Sequence, residues 1–143
     1  MLVASILKAK GNAVTVAPPE TTVGKAVEIL KRERIGVIVV VNPDGSVAGI
    51  LSERDVVHAL ATAGTDFLEQ PISEYMTTSV ICCAGSQTLE DLMREMTNRR
   101  IRHLPVLEDG RLNGIISIGD VVKYRLGELQ AERDALQDYI ATG

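Results

Sequence analysis

Two short stretches carry the residues best suited to chemistry. Ser52-Glu53-Arg54-Asp55 and Ser117-Ile118-Gly119-Asp120 each set a hydroxyl and a carboxylate three residues apart, directly after an apolar run. That spacing is a near relative of the capping box, with Ser at the N-cap and an acid at N3. It also suits a ligand. The free N–H groups and the dipole of a helix start favour an anion near Ser52 and Ser117. A carboxylate one turn in can accept two hydrogen bonds from a cis-diol, each worth about 1.5–3 kcal/mol because one partner is charged. The two roles can coexist, since a capped helix end can still face a cleft.

Cations stand close to both stretches. Arg54 lies inside the first, where Gly119 holds the matching position in the second. Arg99 and Arg100 close a predicted helix, where cations complement the dipole. Arg102 is permanently charged and offers fixed donors to phosphate oxygens. His103 titrates near 6.5 when unperturbed and also reads as a satisfied histidine on a core-facing strand. His58 reads as a structural or exposed residue of a helix. Cys82 and Cys83, the only cysteines, are adjacent on a predicted strand and point to opposite faces, so they read as small apolar side chains rather than a bridge or a chelate. No nucleophile elbow, zinc-ligand spacing or phosphate-binding glycine loop occurs, so neither a catalytic nor a metal-ligating residue is assigned and no enzyme is expected.

The elements that position these residues follow from an internal repeat. Residues 44–57 and 109–122 coincide at eight of fourteen positions at a constant offset of 65. Upstream, Val23, Ala26, Val27 and Leu30 form the i, i+3, i+4, i+7 stripe of an amphipathic helix, and Leu89, Leu92, Met93 and Met96 repeat it 66 residues later. Thr22 and Thr88 stand before these helices as N-caps. The leading segments Val3–Leu7 and Ile72–Met76 echo each other too, with three extra residues following the first. Each repeat therefore reads as a short strand (Val14–Val16; Val80–Cys82), a helix (23–33; 89–99), a strand (Val37–Val41; His103–Leu107), an Asp-Gly turn, a strand (Val47–Leu51; Leu112–Ile116) and a second helix from Asp55 or Asp120. Asp-Gly between apolar runs is a hairpin signal, because Gly tolerates the positive φ of a tight turn. The fold class is α/β (α+β). It comprises two β-α-β-β-α repeats about a pseudo-twofold axis, because one unit of about 60 residues buries little apolar surface alone. The boundaries are 1–61 for the first repeat, 62–71 for a crossover, 72–125 for the second repeat and 126–143 for a C-terminal amphipathic helix, with Gly127 a weak point in it.

Bulk properties narrow the partners. The net charge is −4 and the basic cluster Arg99, Arg100, Arg102, His103 is short, which disfavours nucleic acid. No apolar run reaches the roughly 20 residues that span a bilayer, and Met1–Gly11 does not read as a signal peptide, so no membrane partner and a cytoplasmic location are expected.

The repeat, ending in Gly-x-x-Ser-x-x-Asp with apolar residues after the Gly, resembles the cystathionine-β-synthase-type (CBS) domain, and the tandem is similar to a Bateman module of the stand-alone bacterial kind. The resemblance covers about residues 1–125. It implies a disc-like homodimer and clefts between the repeats that hold adenosine-containing ligands, AMP first and also ATP or NAD(H), with no catalytic cofactor. By the family pattern Asp55 and Asp120 take ribose hydroxyls, and Ser52 and Ser117 lie near phosphate. Asp120 would share its cleft with Ala13, Val14, Thr15, Ile35 and Gly36. Asp55 would share the other with Ser79, Val80, Ile81, Ile101 and Arg102. Arg102 and His103 are further expected near the phosphate of the ligand on Asp120, which makes the clefts unequal, with Arg54 the local cation at Asp55. Two functions fit: a nucleotide-sensing module, or a ligand-free scaffold that dimerises or docks on a partner protein. The terminal helix supplies Leu129, Leu136, Tyr139 and Ile140 as candidate dimer contacts.

Overall fold

The structure, a computed structural model, describes residues 1–142. Helix α1 (Val3–Lys10) precedes β1 (Val16–Ala17), α2 (Val23–Glu33), β2 (Val37–Val41), β3 (Val47–Ser52) and α3 (Glu53–Ala63). Two 3-10 turns, Thr65–Glu69 and Ile72–Glu74, lead to β4 (Cys83–Ala84), α4 (Leu89–Arg99), β5 (His103–Glu108), β6 (Arg111–Ser117) and α5 (Ile118–Thr142). The strands form two three-stranded sheets, β1-β2-β3 and β4-β5-β6, each with a parallel first pair and an antiparallel second pair. The predicted α/β repeat architecture is the one observed.

Local chemistry accounts for most of these elements. The Thr22 hydroxyl accepts from the Lys25 amide at 3.2 Å, and Thr88 and Asp91 form a reciprocal capping box at 3.1 and 2.9 Å. Val23, Ala26 and Leu30 of α2 and Leu89, Leu92 and Met96 of α4 are buried, as their periodicity requires. Strand β2 is central in its sheet, and Ile38, Val39 and Val40 are wholly buried, which is why it is apolar throughout. At the second hairpin Asp109 and Gly110 both take positive φ (53° and 76°), the geometry that a two-residue turn demands.

Three expectations need correction. The first strand of each repeat is shorter and further along, at Val16–Ala17 and Cys83–Ala84, because only those residues pair with β2 and β5. Val14, Thr15 and Val80–Cys82 approach the sheets as chain outside the strands. Helix α5 starts at Ile118 and runs unbroken through Gly127, so the terminal helix continues the second repeat's own last helix.

The third difference is tertiary. The sequence groups Met1–Leu7 with the first repeat, yet Val3, Ile6 and Leu7 are buried in the core made by Leu89, Leu92, Met96, Leu104, Val106 and Ile116. Phe67 and Ile72, from the crossover and the start of the second repeat, are buried in the first core beside Val23, Ile38 and Leu51. Phe67 packs edge-on against Tyr75 with centroids 5.5 Å apart. Backbone bonds fasten each exchange in the same way. Val3 N donates to Gln87 O and Leu89 N to Met1 O, both at 2.9 Å; Ile72 N donates to Thr21 O at 2.8 Å and Val23 N to Gln70 O at 2.9 Å. Each leading segment thus completes the opposite repeat.

Candidate functional site

Strand β3 delivers Ser52 to the start of α3, where the predicted capping box forms. Ser52 Oγ accepts from the Asp55 amide at 3.1 Å, and Asp55 Oδ2 accepts from the Ser52 amide at 2.9 Å. The other oxygen, Oδ1, receives only a long 3.3 Å hydrogen bond from the Thr77 hydroxyl among the described residues. Asp55 is therefore held in place by one oxygen while the second is weakly committed, which suits a carboxylate that must accept hydrogen bonds from a ligand.

That carboxylate lines an open cleft of about 580 Å³. Val37, Ile50, Val80, Ile81 and Ile101 supply apolar wall, and Gly36, Ser52, Thr77 and Ser79 supply small or polar surface. Three arginines, Arg54, Arg100 and Arg102, line the cleft with two carboxylates, Glu53 and Asp55, and with His103, so positive charge is in excess and the cleft favours anions. Residues 78–82 form no strand here, so their backbone groups are not committed to a ladder and can read a planar ring. Arg100 sits in the left-handed region at φ 53°, as Arg34 does at φ 55° in the other repeat. A non-glycine residue there is strained, and Arg100 is strained at the wall of a cleft.

The second Ser-x-x-Asp has the same frame and a different neighbour. Asp120 Oδ2 accepts from the Ser117 amide at 2.9 Å and Ser117 Oγ accepts from the Asp120 amide at 3.1 Å. Lys10 Nζ, from the end of α1, donates to the same Oδ2 at 2.6 Å. Burial alone would raise the Asp120 carboxyl, but the hydrogen bonds and charge of Lys10 and the bonds from Ser117 outweigh it and hold the group below the ordinary carboxylate value. Burial draws the His103 imidazole below its usual value; Asp120 opposes that shift and Arg102 and Lys10 add to it. Cys83 is buried and its thiol is pushed up to about 12, so it stays a neutral apolar side chain.

The family model for the CBS domain matches residues 11–62 and 72–127. The chain belongs to the CBS-domain family. Among relatives, the mitochondrial CBS domain-containing protein CBSX3 of Arabidopsis thaliana is 30% identical over 149 residues, covering 99% of this chain and 72% of that one. A crystal structure of a CBS-domain protein from Agrobacterium tumefaciens superposes with a TM-score of 0.82 at 46% identity, over 87% of this chain and 99% of that one. The CBS domain pair of protein MJ0100, solved with 5′-methylthioadenosine and S-adenosyl-L-methionine, matches with a TM-score of 0.78 at 26% identity, over 90% and 98% of the two chains.

Of the residues that sequence assigns to this CBS pair, the structure brings Ser52, Arg54, Asp55, Ser79, Val80, Ile81, Ile101 and Arg102 together around one cleft. Gly36 lines that same cleft, although sequence places it with Asp120. Arg102 and His103, expected near a phosphate on Asp120, line it too, and His103 also lies near enough to Asp120 to feel its charge. For Gly36 the reason is pairing: its carbonyl accepts from the Glu53 amide at 2.9 Å, which ties the opening of β2 to the start of α3, while the Arg102 carbonyl accepts from the Ile118 amide at 2.8 Å and keeps the opening of β5 beside the start of α5. Ile35 packs on the first core. Ala13, Val14 and Thr15 form the stretch between α1 and β1, and the Thr15 carbonyl accepts from Val39 N at 3.1 Å. Gly119 is exposed in the first turn of α5. Sequence did not single out Thr77 or Lys10. Thr77 follows the leading segment Ile72–Met76 directly, so the echo with Val3–Leu7 was the signal that pointed to it. Lys10 lies in the three-residue insertion, where that echo is lost.

Proposed function

We propose that this CBS pair is a regulatory module that binds an adenine nucleotide, AMP foremost with ATP or NAD(H) as alternatives, in the Asp55 cleft. The observation that carries this reading is the cleft itself. A pre-oriented carboxylate with one weakly engaged oxygen, uncommitted backbone at residues 78–82, an apolar wall and a cationic rim stand around one opening. Ribose would bind at Asp55, base against Val80, Ile81 and Ile101, and phosphate toward Ser52, Arg54 and the arginines of the rim. The MJ0100 pair, crystallised with two adenosine-containing molecules, supports adenosine as the class of ligand. Occupancy would alter how the halves pack, because the cleft takes residues from both.

Melting in the presence of AMP, GMP and CMP tests the claim. AMP at 100 times its Kd stabilises by about 2.7 kcal/mol, a shift of several degrees. Equal shifts with all three nucleotides would remove the adenosine assignment.

A second reading, a docking scaffold, draws on α5. Leu126, Leu129, Leu136, Tyr139 and Ile140 are all exposed along it. Val122, Leu126, Leu129, Arg133, Leu136 and Ile140 follow the alternating four- and three-residue steps of a heptad seam. We propose that a second copy covers this seam, in line with the expected homodimer. Light scattering that finds a monomer at micromolar concentration would exclude it.

A further inference from the structure

The two Ser-x-x-Asp sites differ in what reaches them from the opposite leading segment. Ile50 and Asp55 are the counterparts of Ile115 and Asp120 at the repeat offset of 65. In the first site Thr77 serves both groups: its amide donates to the Ile50 carbonyl at 2.9 Å and its hydroxyl to Asp55 Oδ1 at 3.3 Å. In the second site one ammonium does both jobs. Lys10 Nζ donates to the Ile115 carbonyl at 2.8 Å and to Asp120 Oδ2 at 2.6 Å. A neutral, long contact at Asp55 is thus replaced at Asp120 by a short ion pair.

Lys10 is well anchored for this part. It is the last residue of α1, whose Val3, Ile6 and Leu7 are buried in the second core, and Gly11 closes the helix at φ 97° with its amide on the Leu7 carbonyl at 2.7 Å. Just beyond, Asn12 Nδ2 donates to the Asn113 carbonyl at 2.8 Å and pins the chain to β6. The side chains of Lys10 and Asp120 are 24% and 20% exposed, so the pair is mostly shielded from water.

We propose that Lys10 is the specificity-determining residue of the Asp120 site, a tethered cation that favours an adenosine ligand there when the ligand carries an anionic group to take the ammonium in exchange. A cis-diol arriving at Asp120 meets a carboxylate whose Oδ2 is already paired with an ammonium, whereas at Asp55 it meets a carboxylate whose Oδ1 is held by a hydroxyl. Adenosine offers the freed ammonium nothing. AMP offers a phosphate, which Lys binds as a compact point charge. The inference rests on the adenine reading above and concerns the second Ser-x-x-Asp site alone.

Amide chemical-shift titrations of the whole chain separate the two sites, with Ser117, Gly119 and Asp120 reporting on one and Ser52, Arg54 and Asp55 on the other. In the wild type, AMP moves both sets and adenosine moves only the Asp55 set. Lys10→Met brings adenosine binding to the Asp120 set and lowers AMP affinity there about tenfold, the size of one lost charge-assisted contact. Lys10→Arg keeps the wild-type preference. Should Lys10→Met fail to fold, Lys10→Gln carries the same comparison. Adenosine binding at Asp120 in the wild type, or an AMP-over-adenosine preference unchanged by loss of the ammonium, overturns the inference while leaving the Asp55 reading intact. Silence of both sets toward every adenine ligand removes the Asp55 reading, and this inference with it.

Discussion

The two repeats share a frame and are finished by different means. The first core is closed by Phe67 of the crossover and Ile72 at the start of the second repeat, whereas the second is closed by a full helix, α1, with Val3, Ile6 and Leu7. The same contrast runs through their glycines. A Cβ on Gly49 would meet the Thr77 carbonyl at 2.7 Å and Met76 Sδ at 2.7 Å; on its counterpart Gly114 its nearest contacts would be side-chain atoms of Leu7, the first at 2.6 Å. A rigid backbone and a methionine crowd one site, and a flexible leucine crowds the other. Repeated local sequence therefore produces two sites with different tolerance, because the surroundings arrive from distant parts of the chain.

The sharpest way to break this comparison is to empty the first core. Phe67→Ala should cost about 3–5 kcal/mol, since a fully buried ring leaves a cavity that its neighbours fill only in part. Urea titration would show it as a lower midpoint. A loss below about 1 kcal/mol, the scale of a surface change, would mean that the crossover does not close the first core.

Next come the glycines. Gly49→Ala should destabilise by about 2–3 kcal/mol and Gly114→Ala by about 1 kcal/mol, because overpacking is costly where backbone must yield and cheaper where a side chain can turn. Thermal melts of the two variants side by side test the order. Equal losses would show that Leu7 is held as firmly as the Thr77 backbone.

The carboxylates sharpen the functional half of the contrast. Asp55→Ala should weaken AMP at its own cleft by about 1.5–3 kcal/mol, or about ten- to a hundredfold, by removing a charged hydrogen-bond acceptor. Asp120→Ala should leave the Asp55 cleft unchanged in calorimetry. Both variants also lose the N3 acceptor of a capping box, a hydrogen bond worth about 1 kcal/mol of stability. If Asp55→Ala melted early yet bound AMP normally, its carboxylate would be a cap alone.

The smallest effect is the pH response. Asp120 is held low in the folded state, so the stability it contributes is present above the ordinary carboxylate value and is lost as pH falls through its folded one. His103 is also drawn low, which works from the other side. Below about 6.5 the unfolded chain takes up a proton that the folded one refuses, so stability declines with falling pH until the folded imidazole protonates. His103→Gln should flatten the stability curve below pH 6.5, and Asp120→Asn should flatten it only in the acid limb. A histidine variant whose curve overlays the wild type would show that burial does not restrain the imidazole.

What the sequence determined by itself was everything written at short range. The stripes of α2 and α4, the caps at Thr22 and Thr88, the Asp-Gly hairpins and the reciprocal Ser52–Asp55 and Ser117–Asp120 boxes each depend on residues a few positions apart. The repeat at offset 65 then made the CBS frame legible, because two copies of a weak pattern are a strong one. Tertiary structure alone decided which leading segment completes which core, how few residues of β1 and β4 pair, and that Gly36 and His103 line the cleft that Asp55 lines. It also decided that Lys10 reaches Asp120 across 110 positions of chain. The reason is physical. Periodicity, turns and caps are energies of a local window, while the partner of a buried face or a charged tip is chosen by packing among segments whose separation in sequence carries no record of their meeting.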